Sequence, residues 1–182
     1  SPALGTQLKK VTIPFTGTTM SQLPLQLAER RGFFKDEGLT PEFVLMSTAS
    51  LALAIASQHV LYASATTSAL RVAVSGIDAK ILWVASPKSH MFLMAAPEIK
   101  QISDLKTKRI GVAGIGSGSD IGVRAMLSAN GVNPREVTFL SIAPTGPRLT
   151  ALKNGVIDAT PLSVPLNFIA EPLGFNSLGF LG

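Results

Sequence analysis

The stretch Arg109-Ile110-Gly111-Val112-Ala113-Gly114-Ile115-Gly116-Ser117-Gly118-Ser119-Asp120 decides how this chain folds. Residues 109–113 read as a strand, 114–119 as a glycine-serine loop and 121–129 as a helix that stops at Asn130-Gly131-Val132. A loop that follows a strand and opens a helix gathers several unpaired backbone N–H groups. Gly116 and Gly118 let that backbone approach a ligand closely, and Ser117 and Ser119 add hydroxyl donors. Such a place suits a sulfonate, carboxylate, nitrate or phosphate. Asp120 beside it fits a ligand that also carries an amine or N–H donor. The glycines do not make G-x-G-x-x-G, and no acidic residue ends the next strand near Leu140, so a dinucleotide is not indicated. Ser117-x-x-Asp120 also has nearly capping-box spacing, and capping is compatible with ligand binding.

The same theme extends in both directions. Downstream come a strand over 137–142, a helix containing 149–153, a strand over 156–160, a loop Pro161-Leu162-Ser163 and a helix over 164–172. Upstream, a strand over 11–15 leads through a turn-rich segment into a helix over 23–34, with Pro24 in its first turn and Gly38 closing the unit. A strand over 42–46, a helix over 51–57 capped by Ser47-Thr48-Ala49-Ser50, a strand over 60–63 and a helix through Val74 follow. Residues 81–85 and 91–96 add two more strands. Segments 53–68 and 149–164 align at a fixed offset, which sets His59 against Gly155. The expected fold is therefore α/β: two similar lobes with mostly parallel sheets, residues 1–96 and 97–182.

In open α/β sheets, ligands bind beyond the carboxyl ends of the strands. The loops expected there are small, hydroxyl-bearing and uncharged. They carry Thr18, Thr19 and Met20; Ser47 and Thr48; Thr66 and Thr67; and Ser163. Together with Gly116, Ser117, Gly118, Ser119 and Asp120 they are the candidate ligand-binding residues. Taken singly, each Ser or Thr is better explained by turn and cap chemistry; five such loops on one edge favour a cleft.

Composition narrows the function. Of 182 residues, 46% are hydrophobic and 15% charged, against a usual charged share of about 25%. That excludes intrinsic disorder. No apolar run reaches the roughly 18 residues of a membrane span, and the first five residues lack the pattern of a signal peptide. The net charge of +5 is spread over both halves without aromatic interleaving, so nucleic acid is not an expected partner. There is no cysteine, and the two histidines, His59 and His90, neighbour no carboxylate or nucleophile motif. No catalytic residue, metal site or cofactor is expected. Trp83, inside an apolar run, reads as core.

Three segments resemble one family. They are Leu25-x-Leu27-Ala28-x-x-x-Gly32-Phe33-Phe34-Lys35-Asp36-Glu37-Gly38-Leu39, Ile102-x-Asp104-Leu105-Lys106-x-Lys108-Arg109-Ile110-Gly111-Val112, and Asn154-Gly155-Val156-Ile157-Asp158-Ala159. The chain resembles the solute-binding proteins of ABC importers in the nitrate, sulfonate, taurine and thiamine-pyrimidine-precursor group. The resemblance runs from about Lys9 to Leu178. It implies a type II periplasmic-binding-protein fold with a small ligand held between lobes, a periplasmic or extracellular location, and a membrane permease as partner. It also implies that loops at Thr18–Met20, Ser47–Thr48, Thr66–Thr67 and Ser117–Asp120 face the ligand. Two departures stand out. Gln58-His59-Val60-Leu61-Tyr62 replaces a Gly-x-x-Asp-like step, and the family's return segment completing the first lobe is not found before Gly182. Two competing readings are an enzyme of the related pyrimidine-synthesis or dehydratase type, and an interaction fragment that self-associates through uncovered first-lobe surface.

Overall fold

Alternation of Val11, Ile13 and Phe15 with polar neighbours makes a strand, and its partner is the next apolar run. In the computed structural model, which describes residues 8–17, 20–86 and 88–182, β1 (Lys9–Phe15) and β2 (Leu39–Leu45) pair in parallel, Lys9 beside Leu39 through Phe15 beside Leu45. A parallel pair needs a crossover, and α1 (Leu23–Arg30) and α2 (Phe33–Asp36) supply it. The single helix expected over 23–34 is thus two. Gly32 takes φ +82°, and the amides of Arg31 and Gly32 fold back on the carbonyls of Leu27 and Glu29. That left-handed step ends α1.

Ser47 caps α3 (Thr48–Ala56), its Oγ accepting the Ser50 amide at 3.0 Å. The helix α4 (Thr66–Val74) packs against α3. The strand expected over 60–63 is reduced to one bridge between Phe15 and Ser64. Residues 81–85 form no strand either: Ile81, Leu82, Trp83 and Val84 are all exposed, so Trp83 is not core. The chain at residues 60–64 reaches the edge of β1 only at that bridge, and residues 81–85 pair with no strand among the described residues.

The second sheet holds five strands in the order β5-β4-β6-β3-β7. In chain order they are β3 (Met91–Ala95), β4 (Arg109–Val112), β5 (Thr138–Ser141), β6 (Ala159–Ser163) and β7 (Asn176–Phe180). Both neighbours of β4 are parallel to it, whereas β3 runs antiparallel to β6 and β7. Two expectations change. Residues 91–96 were assigned to the first lobe, but β3 is an inner strand of the second sheet, because Leu93, Met94 and Ala95 are buried between two partner strands. Pro161, Leu162 and Ser163 are not a loop but the buried end of β6. The strand β7 was not foreseen.

Helices cover both faces, as parallel pairing demands. On one face α5 (Gly118–Ala129) lays Val123 and Leu127 against Leu93, Ile110 and Val112. On the other, α6 (Thr145–Lys153) and α7 (Leu166–Ala170) lay Leu149, Leu152 and Ala170 against Met94 and Leu162. At the opposite end of β4 from the glycine loop, Arg109 grips Asp158 with Nε and Nη2 at 3.0 and 2.8 Å, and its backbone N–H donates at 2.7 Å. This fastens β4 to the turn before β6 and joins two of the three family-like segments. The guanidinium holds the Asp158 carboxyl below its usual range.

Each lobe turns out of a helix through one left-handed residue. Gly155 does so after α6 at φ +65°, and Gln58 after α3 at φ +57°. The counterpart of Gly155 is therefore Gln58, one residue before the His59 of the sequence alignment. No helix among the described residues is long and apolar enough to cross a membrane.

Candidate functional site

The cleft is built where α3 begins and α4 ends, against the carboxyl edge of the second sheet. A cavity of about 610 Å³ is lined by Ser47, Thr48, Ala49 and Ala52 of α3 and its cap, Arg71, Val72 and Ser75 at the far half of α4, and Ala113, Gly114, Ile115 and Ser141 from the second sheet's carboxyl edge. The glycine loop touches both first-lobe helices. A Cβ at Gly114 would stand 3.4 Å from Thr48 Oγ1, and one at Gly118 would stand 3.2 Å from Thr67 Oγ1. At Gly118 a side chain would press on Thr67, whereas Gly114 has room for ordinary contact with Thr48. The first turn of α3 faces the glycine loop at Gly114, and the first turns of α4 and α5 meet at Thr67 and Gly118, whereas the cavity wall itself takes the C-terminal half of α4.

Sequence-selected residues divide into three groups. Ser47 and Thr48 line the cleft, Thr67 meets Gly118 beside it, and Thr66 opens α4. Ser117, Ser119 and Asp120 are turned inward and build the loop. Ser117 Oγ caps α5 by accepting the Asp120 amide at 3.4 Å and pairs with Ser119 Oγ at 2.9 Å. Ser119 Oγ accepts the Ala113 amide at 3.0 Å. Asp120 is buried and uses both oxygens: Oδ2 accepts the Gly116 amide and Oδ1 the Arg124 Nε, each at 2.7 Å. The resulting box closes on Gly116 rather than on the Ser117 amide, one residue off capping-box geometry. The remaining candidates lie apart. Ser163 is buried at the end of β6 opposite Met91, and Met20 is exposed. Thr18 and Thr19 fall outside the described residues.

The residue that sequence reading missed is Arg71. Its Nη1 donates to the Ile115 carbonyl at 3.2 Å, crossing from the first lobe to the glycine loop. Gly116, at φ +77°, yields to it: a Cβ there would lie 2.6 Å from the Arg71 Cζ. Among the described residues Arg71 has no ion pair. The available signal was spacing, since four residues place Arg71 on the same helix face as Thr67. A second cation sits behind the cleft. Arg148, 3% exposed, donates to the Ile142 carbonyl at 3.0 Å and to Thr145 Oγ1 at 3.1 Å, and its Nε is left unpartnered. Burial lowers its pKa to about 10, so it stays charged at neutral pH.

A smaller cavity of about 260 Å³ lies wholly within the first lobe, between Gln22, Gln26, Glu29 and Arg30 on one side and Phe15 and Phe43 on the other. It contains none of the loop residues. Among the described residues no three His, Cys, Asp or Glu side chains gather to hold a metal ion.

The NMT1/THI5-like family model matches residues 20–166. The chain belongs to that family. No curated protein matches this NMT1/THI5-like chain. Among solved structures, one from Bordetella bronchiseptica RB50 is 27% identical, covers 93% of the chain and has a TM-score of 0.81. The alkanesulfonate-binding protein SsuA from Xanthomonas axonopodis pv. citri, bound to MOPS, is 19% identical over 96% of the chain, with a TM-score of 0.76. The periplasmic nitrate-binding protein NrtA from Synechocystis PCC 6803 is 14% identical over 94%, with a TM-score of 0.74. The NMT1/THI5-like chain spans 55%, 61% and 51% of the length of these three structures. Its α/β fold is that of type II periplasmic binding proteins.

Proposed function

We propose that this chain is the extracytoplasmic solute-binding component of an ABC importer, and that it holds a small anionic or zwitterionic solute between its lobes. Sulfonates, nitrate, carboxylates and pyrimidines are the classes considered. The observation that supports the reading is the cleft itself, where the start of α3, the glycine loop before α5 and one guanidinium from α4 line a single cavity. Family membership and solved relatives named as sulfonate- and nitrate-binding proteins support it. Binding proteins of this kind work by closure: a ligand that contacts both lobes favours the closed state by its differential affinity. The closed form is then what a permease recognises, and no catalysis is assigned.

Isothermal titration of the chain with taurine, ethanesulfonate, nitrate, acetate and an aminopyrimidine tests the reading. Saturable binding of one class, with small-angle scattering showing compaction on binding, is the expected outcome. Failure of every class to bind would remove the solute-receptor reading for this chain.

A further inference from the structure

We infer that Arg71 sets the charge of the solute, so that the cleft selects a ligand with an anionic group and discriminates against its neutral isostere. This rests on the receptor reading and names the residue and the ligand class within it. Arg71 is the only charged side chain among the cavity-lining residues. Among the described residues its one acceptor is a neutral carbonyl, that of Ile115, which leaves most of the five guanidinium donors available. The nearest acidic candidate, Asp120, is already bound to Arg124 and the Gly116 amide and neutralises neither Arg71 nor a ligand. The buried charge of Arg148 lies behind Ile142, next to the cleft-lining Ser141, again without a carboxylate partner. The positive charge at the cleft comes from two guanidinium groups and the start of α3, against the partial negative end of α4 at Ser75.

The loop is shaped for this side chain. Gly116 combines a left-handed backbone with the absence of a Cβ exactly where the guanidinium lies, so one glycine satisfies two demands. The planar fork of Arg suits sulfonate, nitrate and carboxylate oxygens through paired hydrogen bonds. On binding, an oxyanion takes the place of the Ile115 carbonyl as acceptor for Nη1. The exchange converts a neutral hydrogen bond into a charge-assisted one.

The experiment compares ethanesulfonate, nitrate and acetate with the neutral isosteres ethyl methyl sulfone and acetamide, by isothermal titration at low and high salt. The wild-type chain is expected to bind an anion and to prefer it over its isostere. Arg71→Ala should weaken anion binding roughly 10- to 100-fold and weaken any isostere binding much less, since a neutral oxygen makes the weaker hydrogen bond to a guanidinium. Arg71→Lys should recover part of the loss and Arg71→Gln none. Because these two variants keep a long polar side chain, they decide the matter if the Ala variant melts. Gly116→Ala, which displaces the guanidinium while retaining it, should also weaken anions. Equal anion affinity in Arg71→Ala or Arg71→Gln and wild type overturns the inference and leaves the receptor reading standing, as does binding of neutral compounds alone. Absence of binding by any compound, neutral ones included, overturns both.

Discussion

The two lobes start from similar sequence patterns and end with different interiors. The second surrounds a five-stranded sheet with helices on both faces, and 18 of the 21 buried hydrophobic residues among those described belong to it. The first has two paired strands and only Ile13, Leu51 and Val72 fully inside. Its helices leave Leu23, Leu27, Leu53, Leu70 and Val74 facing outward. The difference teaches that a βαβ pattern specifies local elements, whereas a core requires enough strands and covering helices to enclose them. The low charge of the chain follows from the same contrast, since much of the first lobe's apolar surface remains open.

The contrast can be broken most directly in the interiors. Leu127→Ala, between α5 and the second sheet, should cost about 2–5 kcal/mol in urea unfolding. Leu51→Ala should cost less: Leu51 itself is enclosed, but few other side chains of the first lobe are, so its neighbours are freer to move into the space. Equal losses would show that the first lobe is packed as tightly as the second. A finer probe is the corner the lobes share. Gln58→Gly removes the strain of a side chain at positive φ and should stabilise by about 1 kcal/mol, read as a raised melting temperature. The same change is already present in the second lobe as Gly155.

The smallest effect concerns Asp158, part of a pair that the solvent reaches. Asp158→Asn should lower the melting temperature modestly at neutral pH. The folded carboxyl has a depressed pKa, so its stabilisation exists above the unfolded value of about 4 and fades as pH falls through the lower folded value. The gap between variant and wild type should accordingly close in acid. A gap that persists in acid strong enough to protonate the folded carboxyl would mean that hydrogen-bond geometry, not charge, does the fastening.

Much of this was legible in the residues. Arg109 to Ala129 reads as strand, loop and helix because apolar periodicity changes at a run of glycines, and the structure keeps those boundaries closely. Residues 60–63 and 81–85 misled because an apolar run does not reveal whether a partner edge exists. Met91 to Ala95 was found as a strand but assigned to the wrong sheet, since pairing is a long-range fact. In the site, Ser117, Ser119 and Asp120 looked like ligand groups, yet small polar side chains near a helix start can equally bond their own backbone, and here they do. Arg71 escaped notice because it lies a full turn inside a helix and meets the cleft only through a contact between lobes.

The pairing of β3 with β7 has a mechanical consequence. Phe92 stands opposite Phe180, their rings 5.1 Å apart, so the chain passes into the sheet and back out at the same end. Asn176 ties the far ends together, its Nδ2 reaching the carbonyls of Pro97 and Ile99 at 2.9 and 2.8 Å. Sliding β3 along β7 would break the ladder hydrogen bonds between them, part Phe92 from Phe180 at one end and pull Asn176 off its carbonyls at the other, so the two strands move as one piece.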